Sequence, residues 1–223
     1  MLEFDFPDDE PEIITKNYTV VDCNQGTNEW LDAKLGVLSA SNMNIMFGDG
    51  VTKEKLIASK VAEILTGKLD DRIRFSSKDT SAGNDLEDDA RVSYEELTGN
   101  EVKQIGFALL DQFVGVSPDG LVGDNGAIEI KCPNDANYIN AVIGGKAHIS
   151  PLYMTQMQMQ MYVLELEWCD YTLYNPNFET SLHIIRIERD NEAIELIKKQ
   201  IEIIKKQIVN KINNFNQKTR KIS

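Results

Sequence analysis

The stretch that decides the fold reads SPDGL at residues 117–121, GDNG at 123–126 and IEIK at 128–131. The GDNG segment is typical of a hairpin turn, and the alternation after it predicts a short strand at 127–131. Residues two apart on a strand project from the same face. Glu129 and Lys131 are therefore expected together, with the neighbouring isoleucines toward the core. Asp119 lies across the hairpin from Glu129, so these three charged side chains converge at one sheet edge.

This trio has the chemistry of phosphodiester hydrolysis. Two carboxylates can hold a hard divalent cation, and a lysine beside them can orient or help to deprotonate a nucleophilic water. The spacing leaves a second interpretation open, because charged and apolar residues also alternate in a salt-bridged hairpin on a solvated face.

Helical and strand patterns extend outward from the hairpin on both sides. Upstream, helices are predicted at 27–35 with Thr27 as N-cap, from Ser39 or Ser41 to Gly48, at 52–65 with Thr52 as N-cap and at 79–97, and strands at 102–110 and 113–116. Downstream, helices are predicted at 134–143, 151–165 and 191–215, and strands at 168–174 and 181–188. This order predicts one α/β domain over 17–223, preceded by an acidic arm at 1–16.

The last predicted helix carries one apolar stripe. Its isoleucines recur at steps of three and four from 194 to 212. Such a stripe is buried either on its own domain or on a neighbouring subunit.

Two further sites have candidate functional side chains on helices. Glu87 follows Gly83 at helical spacing, so a carboxylate lies beside a small residue and could join a metal site; a solvated acidic face is the alternative. Gln156 and Gln160 share one face of the methionine-rich helix and could hydrogen-bond a backbone, a base or a catalytic water. A core helix with methionine filling gaps is the alternative there.

Lys34, Ser39 and Ser41 lie within eight residues of one another, next to a predicted helix start. A lysine, two hydroxyls and a helix N-terminus suit an anion such as a terminal phosphate. Simple N-capping by one of the serines is the alternative.

Composition restricts the kinds of metal site, binding partner and cellular location that the chain can have. Three cysteines without a CxxC pair and two histidines make a zinc or iron–sulfur centre a poor fit, so a metal would be held by carboxylates. The net charge of −13 leans mildly away from nucleic acid, but it is uneven, since residues 191–223 hold eight basic and three acidic side chains. Apolar runs are too short for a membrane helix, and the N-terminus lacks a secretory pattern, so a cytoplasmic location is expected.

The order of these motifs is more specific than any one of them. The chain reads Trp30…Lys34-Leu35-Gly36…Ser39-Ala40-Ser41, then Gly83…Glu87…Ala90-Arg91…Tyr94, then SPDG…EIKCP at 117–133, then Tyr153…Gln156. This series resembles the lambda-exonuclease or YqaJ-like family of viral-type recombination nucleases, within the restriction-endonuclease-like PD-(D/E)xK superfamily. The resemblance covers about residues 25 to 178.

The resemblance implies a central mixed β-sheet flanked by helices and a magnesium-dependent exonuclease, with Mn²⁺ as a possible substitute for Mg²⁺. It implies Glu87, Asp119, Glu129 and the Ile130 carbonyl as metal ligands. Lys131 and Gln156 would lie near the nucleophilic water or the scissile phosphate. Ser41 and Ser117 match positions that hold the terminal phosphate, and Lys34 matches a basic position beside them.

The resemblance also implies 5′ to 3′ digestion of double-stranded DNA ends, a single-strand annealing protein as partner, a homotrimer, and a phage or prophage origin in a bacterial host. An endonuclease or single-strand nuclease on the same fold is one alternative. A catalytically silent module that binds DNA or protein is another, and the intact set of three carboxylates and one lysine argues against it.

Overall fold

The computed structural model describes residues 16–69 and 81–220. Apart from Lys16, the predicted acidic arm lies outside the described residues, as does the predicted helix start at Asp79. The strands are β1 (Thr19–Val21), β2 (Leu38–Ser39), β3 (Val102–Lys103), β4 (Phe107–Asp111), β5 (Val114–Val116), β6 (Gly120–Val122), β7 (Gly126–Lys131), β8 (Trp168–Tyr174) and β9 (Leu182–Glu188).

The α-helices of the described residues alternate with these strands. They are α1 (Asn28–Ala33), α2 (Met43–Phe47), α3 (Val51–Thr66), α4 (Ser81–Thr98), α5 (Asp135–Gly144), α6 (Pro151–Val163) and α7 (Asn191–Arg220). Short 3₁₀ turns at Ala40–Asn42 and Gly145–His148 precede α2 and α6. None of the helices in the described part of the chain is long and apolar enough to cross a membrane.

The strands form two sheets rather than the one central sheet expected. A five-stranded sheet has the order β3-β6-β7-β8-β9, and a four-stranded sheet has the order β1-β4-β5-β2. In the larger sheet β7 pairs with β8 in parallel, whereas the other pairs are antiparallel. The prediction of a mixed sheet flanked by helices is therefore confirmed for the larger sheet.

The strand predicted at 102–110 is wrong as one element, because it divides into β3 and β4 in different sheets. The division lies at Gly106, where an added Cβ would meet the Cys23 carbonyl oxygen at 2.0 Å. The Gln25 amide donates to the Ile105 carbonyl there at 3.1 Å. This close approach of the 23–25 segment redirects the chain between the two sheets.

Helix boundaries follow local capping with two corrections. Thr27 caps α1 as predicted, its side chain accepting a hydrogen bond from the Trp30 N–H. Thr52 is not an N-cap, because α3 begins one residue earlier, after Gly50, whose φ of 73° suits glycine. The last helix reaches Arg220, five residues beyond the predicted end.

Helices cover both faces of the larger sheet. On one face, α4 packs with Ile128 and Ile130 in a small apolar cluster. On the other face, α6 packs between the sheet and α7 in the main core. The isoleucine stripe of α7 is buried on its own domain from Ile194 to Ile208 and also contacts α3.

Candidate active site

Glu129 occupies the centre of the candidate site and is 1% exposed. It lies on β7, facing α6 rather than solvent. Gln156 donates to its Oε1 at 2.7 Å, and Gln160 donates to its Oε2 at 2.8 Å. Lys131 pairs with Oε1 from the same strand. The interpretation of a salt bridge on a solvated face is therefore wrong. The salt bridge is present, but α6 covers it and buries Glu129.

Lys131 is held by three groups. Besides the Glu129 carboxylate, its Nζ donates to the Ile130 carbonyl oxygen at 2.9 Å and lies 5.0 Å from the Tyr153 ring centroid. Burial by itself would lower the pKa of Lys131, but the charges of Glu129 and Asp119 outweigh it and raise that pKa. Lys131 is therefore a cation fixed beside Glu129, as the two-residue spacing predicted.

Asp119 begins the hairpin that leads into β7. Its Oδ2 accepts a hydrogen bond from the Ile130 N–H at 2.7 Å, which places it across the strand from Glu129. The next residue, Gly120, has no room for a side chain, because a Cβ would lie 2.2 Å from Val102 Cγ1. Burial, followed by the Glu129 charge, raises the pKa of Asp119 above its ordinary value.

Glu87 approaches this edge from α4. Burial raises the pKa of its carboxyl group, and the nearby Lys131 charge opposes that effect. Arg91, one turn farther along α4, donates to the Asp119 carbonyl oxygen at 3.3 Å. The helix is thus attached to the loop that carries Asp119, and the predicted residues Glu87, Asp119, Glu129 and Lys131 share one electrostatic environment.

The described residues include no set of three His, Cys, Asp or Glu side chains arranged to hold a metal ion as they stand. Both oxygens of Glu129 instead accept hydrogen bonds from Gln156, Gln160 and Lys131. The chemistry of the donor set nevertheless fits a hard cation. Oxygen ligands suit Mg²⁺ and Mn²⁺. Burial and repulsion from Glu129 raise the carboxyl pKa values of Asp119 and Glu87, and the charge of a bound cation would offset both effects.

The predicted anion-binding residues form a neighbouring group. Lys34 Nζ lies 3.6 Å from the Trp30 ring centroid, and the Trp30 indole donates to Ser117 Oγ at 3.0 Å. Ser117 in turn donates to the Gly106 carbonyl at 2.6 Å. Burial, with a smaller contribution from Lys60, lowers the pKa of Lys34 to about 8.

Ser39 ends β2, which pairs in parallel with β5, and Ser41 lies in the 3₁₀ turn that follows. The two parallel strands bring the serines and Ser117 to the same edge of the smaller sheet. The hydroxyls of Ser39 and Ser41 are 3.0 Å apart, and Ser39 also forms a capping box with Asn42. The N-capping interpretation is therefore correct for Ser39, whereas Ser41 is exposed.

Several contacts in the site were not predicted. Gln160 was expected, with Gln156, to bond a backbone, a base or a catalytic water, yet it is fully buried and donates to the Glu129 carboxylate. Its four-residue spacing from Gln156 was the available signal. Gln25, whose amide donates to the Pro118 carbonyl at 2.8 Å, is 93 residues away in sequence, and no local pattern indicated it.

A polar cleft of about 910 Å³ opens beside Glu87 and Arg91. Its walls come from β1, α4, and the 102–106 segment. They include the bases Lys16 and Lys103, the acids Asp22 and Asp88, and Tyr18. The candidate site therefore adjoins a cleft with basic, acidic, aromatic and amide side chains.

Comparisons with known proteins agree with the fold. An alkaline exonuclease, LHK-Exo from Laribacter hongkongensis, is 31% identical, with 88% of this chain and 100% of that chain covered and a TM-score of 0.77. Its structure in complex with dAMP is 32% identical over the same shares, with a TM-score of 0.79. A phage-related exonuclease from Haemophilus somnus 129PT is 18% identical, covers 80% of this chain and 96% of its own, and shares the fold with a TM-score of 0.54.

A comparison with curated proteins finds no match. Residues 29–167, more than half of the chain, match the family described as the YqaJ-like viral recombinase domain. Together with the similarity to LHK-Exo, this match supports a nuclease. The chain belongs to the YqaJ-like viral recombinase domain family.

Proposed function

We propose that this protein is a metal-dependent exonuclease that digests double-stranded DNA from its ends, 5′ to 3′, and leaves 3′ single strands. The observation that carries the proposal is the buried Glu129–Lys131 pair beside Asp119, within a chain similar to an alkaline exonuclease over 88% of its length. A buried carboxylate, a fixed ammonium group and a second carboxylate at one sheet edge suit phosphodiester hydrolysis.

The carboxylates of Glu87, Asp119 and Glu129, with the Ile130 carbonyl, would hold Mg²⁺ or Mn²⁺. The bound cation supplies Lewis-acid stabilisation of the charge that develops on the phosphate oxygens. Gln156 and Gln160 each donate one hydrogen bond to Glu129, and these bonds hold its carboxylate in one orientation. Such outer contacts orient ligands and support their affinity for metal.

Lys131 acts on the attacking water in this proposal. Its ammonium group lies between the Glu129 carboxylate and the Ile130 carbonyl, so it is oriented before substrate binds. A cation at this place stabilises a developing hydroxide and the negative charge of the phosphate. Gln156 donates to the same Glu129 oxygen as Lys131, so it would be within reach of the same water or of the scissile phosphate.

Lys34, Ser39, Ser41 and Ser117 would receive the terminal phosphate. The Trp30 indole connects the lysine to Ser117, because its ring lies under the ammonium group and its N–H reaches the hydroxyl. Hydroxyls and a partly desolvated cation are suitable partners for a phosphate oxygen. The polar cleft beside Glu87 would hold the adjoining DNA. The solved complex of LHK-Exo with dAMP supports a deoxynucleotide ligand.

The family also supports a proposal for the biological setting. We propose that the exonuclease works in phage-type recombination in the cytoplasm of a bacterial host, with a single-strand annealing protein that takes up its 3′ strands. We also propose a homotrimer, which would keep the enzyme on long duplexes. Light scattering gives the mass directly, and a monomer that digests long duplexes without dissociating would contradict the trimer as the source of processivity.

The function is tested with linear and circular duplex DNA of the same sequence, with Mg²⁺ and with a chelator. We expect mononucleotides from the linear form in Mg²⁺, release of a 5′ label before a 3′ label, and an intact circle. Cutting of the circle would identify an endonuclease, and binding without hydrolysis would identify a silent module. Glu129→Gln should abolish hydrolysis, whereas Glu188→Gln, on the exposed end of β9, serves as the matched control.

A further inference from the structure

A buried carboxylate that the proposed chemistry does not use lies on the opposite face of the larger sheet. Asp170, on β8, is 2% exposed. Arg186 donates to it bidentately, from Nε to Oδ1 at 2.8 Å and from Nη2 to Oδ2 at 2.9 Å. Tyr94 of α4 donates its hydroxyl to Oδ2 at 2.7 Å. The carboxylate thus has three donors, one of which belongs to the helix that carries Glu87.

The arginine makes this acceptor rigid. Its guanidinium group lies 3.7 Å from the Trp168 ring centroid, so it is stacked on one side and paired with Asp170 on the other. A bidentate pair holds the carboxylate in a defined orientation. The Tyr94 hydroxyl therefore donates to an acceptor whose orientation is fixed.

The residues of α4 that face the sheet lie on one line. Counted from Glu87, the next residues on this face are three, four and seven positions along the helix: Ala90, Arg91 and Tyr94. Ala90 and Tyr94 are fully buried. Ala90, lacking a longer side chain, permits close approach of the helix, and Arg91 reaches the Asp119 carbonyl. Glu87 lies two turns from the Tyr94 hydrogen bond on the same rigid element.

We propose that Asp170 and Tyr94 form a positioning pair. Their hydrogen bond sets the place of the Glu87 carboxylate relative to Asp119 and Glu129. This inference rests on the proposed function, because it takes Glu87 as a metal ligand. A helix held only by apolar contacts can slide or rotate against a sheet, since such contacts have little directionality. The Tyr94 hydrogen bond is directional and restricts that freedom, together with the Arg91 bond to the Asp119 carbonyl and the Glu95 carboxylate, which accepts from the Val102 N–H at 2.6 Å.

The experiment measures Mn²⁺ binding by the whole protein, followed by the paramagnetic resonance signal of the free ion, without DNA. Wild type is compared with Tyr94→Phe, Glu87→Gln and the double variant. Tyr138→Phe is the matched control: Tyr138 is also buried and donates its hydroxyl, to the Thr180 carbonyl at 2.6 Å, but from α5. Asp170→Asn is a second variant that tests the acceptor, and circular dichroism checks that each variant folds.

We expect Tyr94→Phe to weaken Mn²⁺ binding by about tenfold, the lower end for loss of a contact that supports a ligand. Tyr138→Phe should bind as wild type, and Asp170→Asn should weaken binding in the same direction. In the Glu87→Gln background the Tyr94 change should have no further effect, because the group that it positions is already gone.

Two results would overturn the inference, and they differ from failure of the proposed function. If a folded Tyr94→Phe or Asp170→Asn protein binds Mn²⁺ as wild type does, the positioning role is contradicted. Weaker Mn²⁺ binding by Glu87→Gln would still show, in that case, that Glu87 belongs to the metal site. Additive losses in the double variant also contradict it, since they mean that Tyr94 acts elsewhere. If Glu87→Gln binds Mn²⁺ as wild type does, the proposed ligand set is itself wrong, and the inference falls with it.

Discussion

Gln160 Nε2 donates a hydrogen bond to Glu129 Oε2 at 2.8 Å, and the glutamine side chain is fully buried. A carboxylate at 1% exposure would be costly if its oxygens lacked donors, because burial penalises the charged form. Gln156 satisfies the other oxygen at 2.7 Å. The part of α6 that packs on β7 therefore belongs to the candidate site, because its glutamines bond the Glu129 carboxylate.

Replacing Gln160 by Leu should lower the rate of DNA hydrolysis by roughly 10- to 100-fold, as is typical when a ligand loses its supporting hydrogen bond. Gln158→Leu is a matched control on the same helix, because Gln158 is also buried but bonds the main chain of Glu188 and Asp190. Both variants should lose stability in thermal melts, whereas only the first should lose activity at equal folded fraction. Equal loss of activity in both would show a purely structural role for Gln160.

Lys131→Met should remove most hydrolysis and preserve Mn²⁺ binding. The ammonium group acts on the water and the phosphate in the proposed chemistry, and the methionine keeps a side chain of similar length. Single-turnover rates and metal titration of the same preparation test this expectation. Lys198→Met should leave the rates unchanged, because Lys198 is a half-buried lysine that pairs with Glu195 away from the candidate site. A Lys131 variant with normal turnover would contradict the assignment.

The preference for 5′-phosphorylated ends should decline as pH rises through about 8. Lys34 is charged below its pKa of about 8 and loses its proton above it, so the attraction for phosphate in the free enzyme falls with increasing pH. The ratio of kcat/KM values for phosphorylated and unphosphorylated duplexes across pH 6.5 to 9.5 measures this, since kcat/KM reflects groups of the free enzyme. Lys34→Met should have a low ratio that does not vary with pH.

The titration of Lys34 also affects the free energy of unfolding, which should rise with pH where the phosphate preference falls. The folded pKa of Lys34 lies below its ordinary value of 10.5, so between about 8 and 10.5 the unfolded chain binds more protons. This group should therefore make the folded state more stable as pH rises through that window. Denaturant unfolding of wild type and Lys34→Met at both ends of the window isolates the contribution; a larger rise for the methionine variant would contradict it.

Gly36→Ala should lower stability by about 1–3 kcal/mol, the usual cost of a strained backbone position. Gly36 has a φ of 72°, and an added Cβ would lie 2.5 Å from Ile64 Cγ1. Its N–H also donates to the buried Glu63 carboxylate at 2.9 Å. Gly67→Ala is a useful comparison, because Gly67 has a similar φ of 65° but open space around its Cα. A larger loss at Gly36, measured by urea unfolding, would isolate the steric effect.

The sequence by itself determined the features that depend on neighbours along the chain. The alternation in IEIK placed Glu129 and Lys131 on one strand face, and Thr27 identified the start of α1. Helical spacing also put Gln156 and Gln160 on one side of α6. These features are local because strand and helix periodicity relate residues two to four positions apart.

Tertiary structure decided which of those faces became buried and what they met. The hairpin pattern was equally compatible with a solvated surface, and only the packing of α6 on β7 shows Glu129 enclosed by two glutamines. Likewise, the Tyr94–Asp170 bond joins residues 76 positions apart, and the Trp30–Ser117 bond joins residues 87 apart. Contacts at such separations depend on how sheets and helices pack together, which no local period in the sequence encodes.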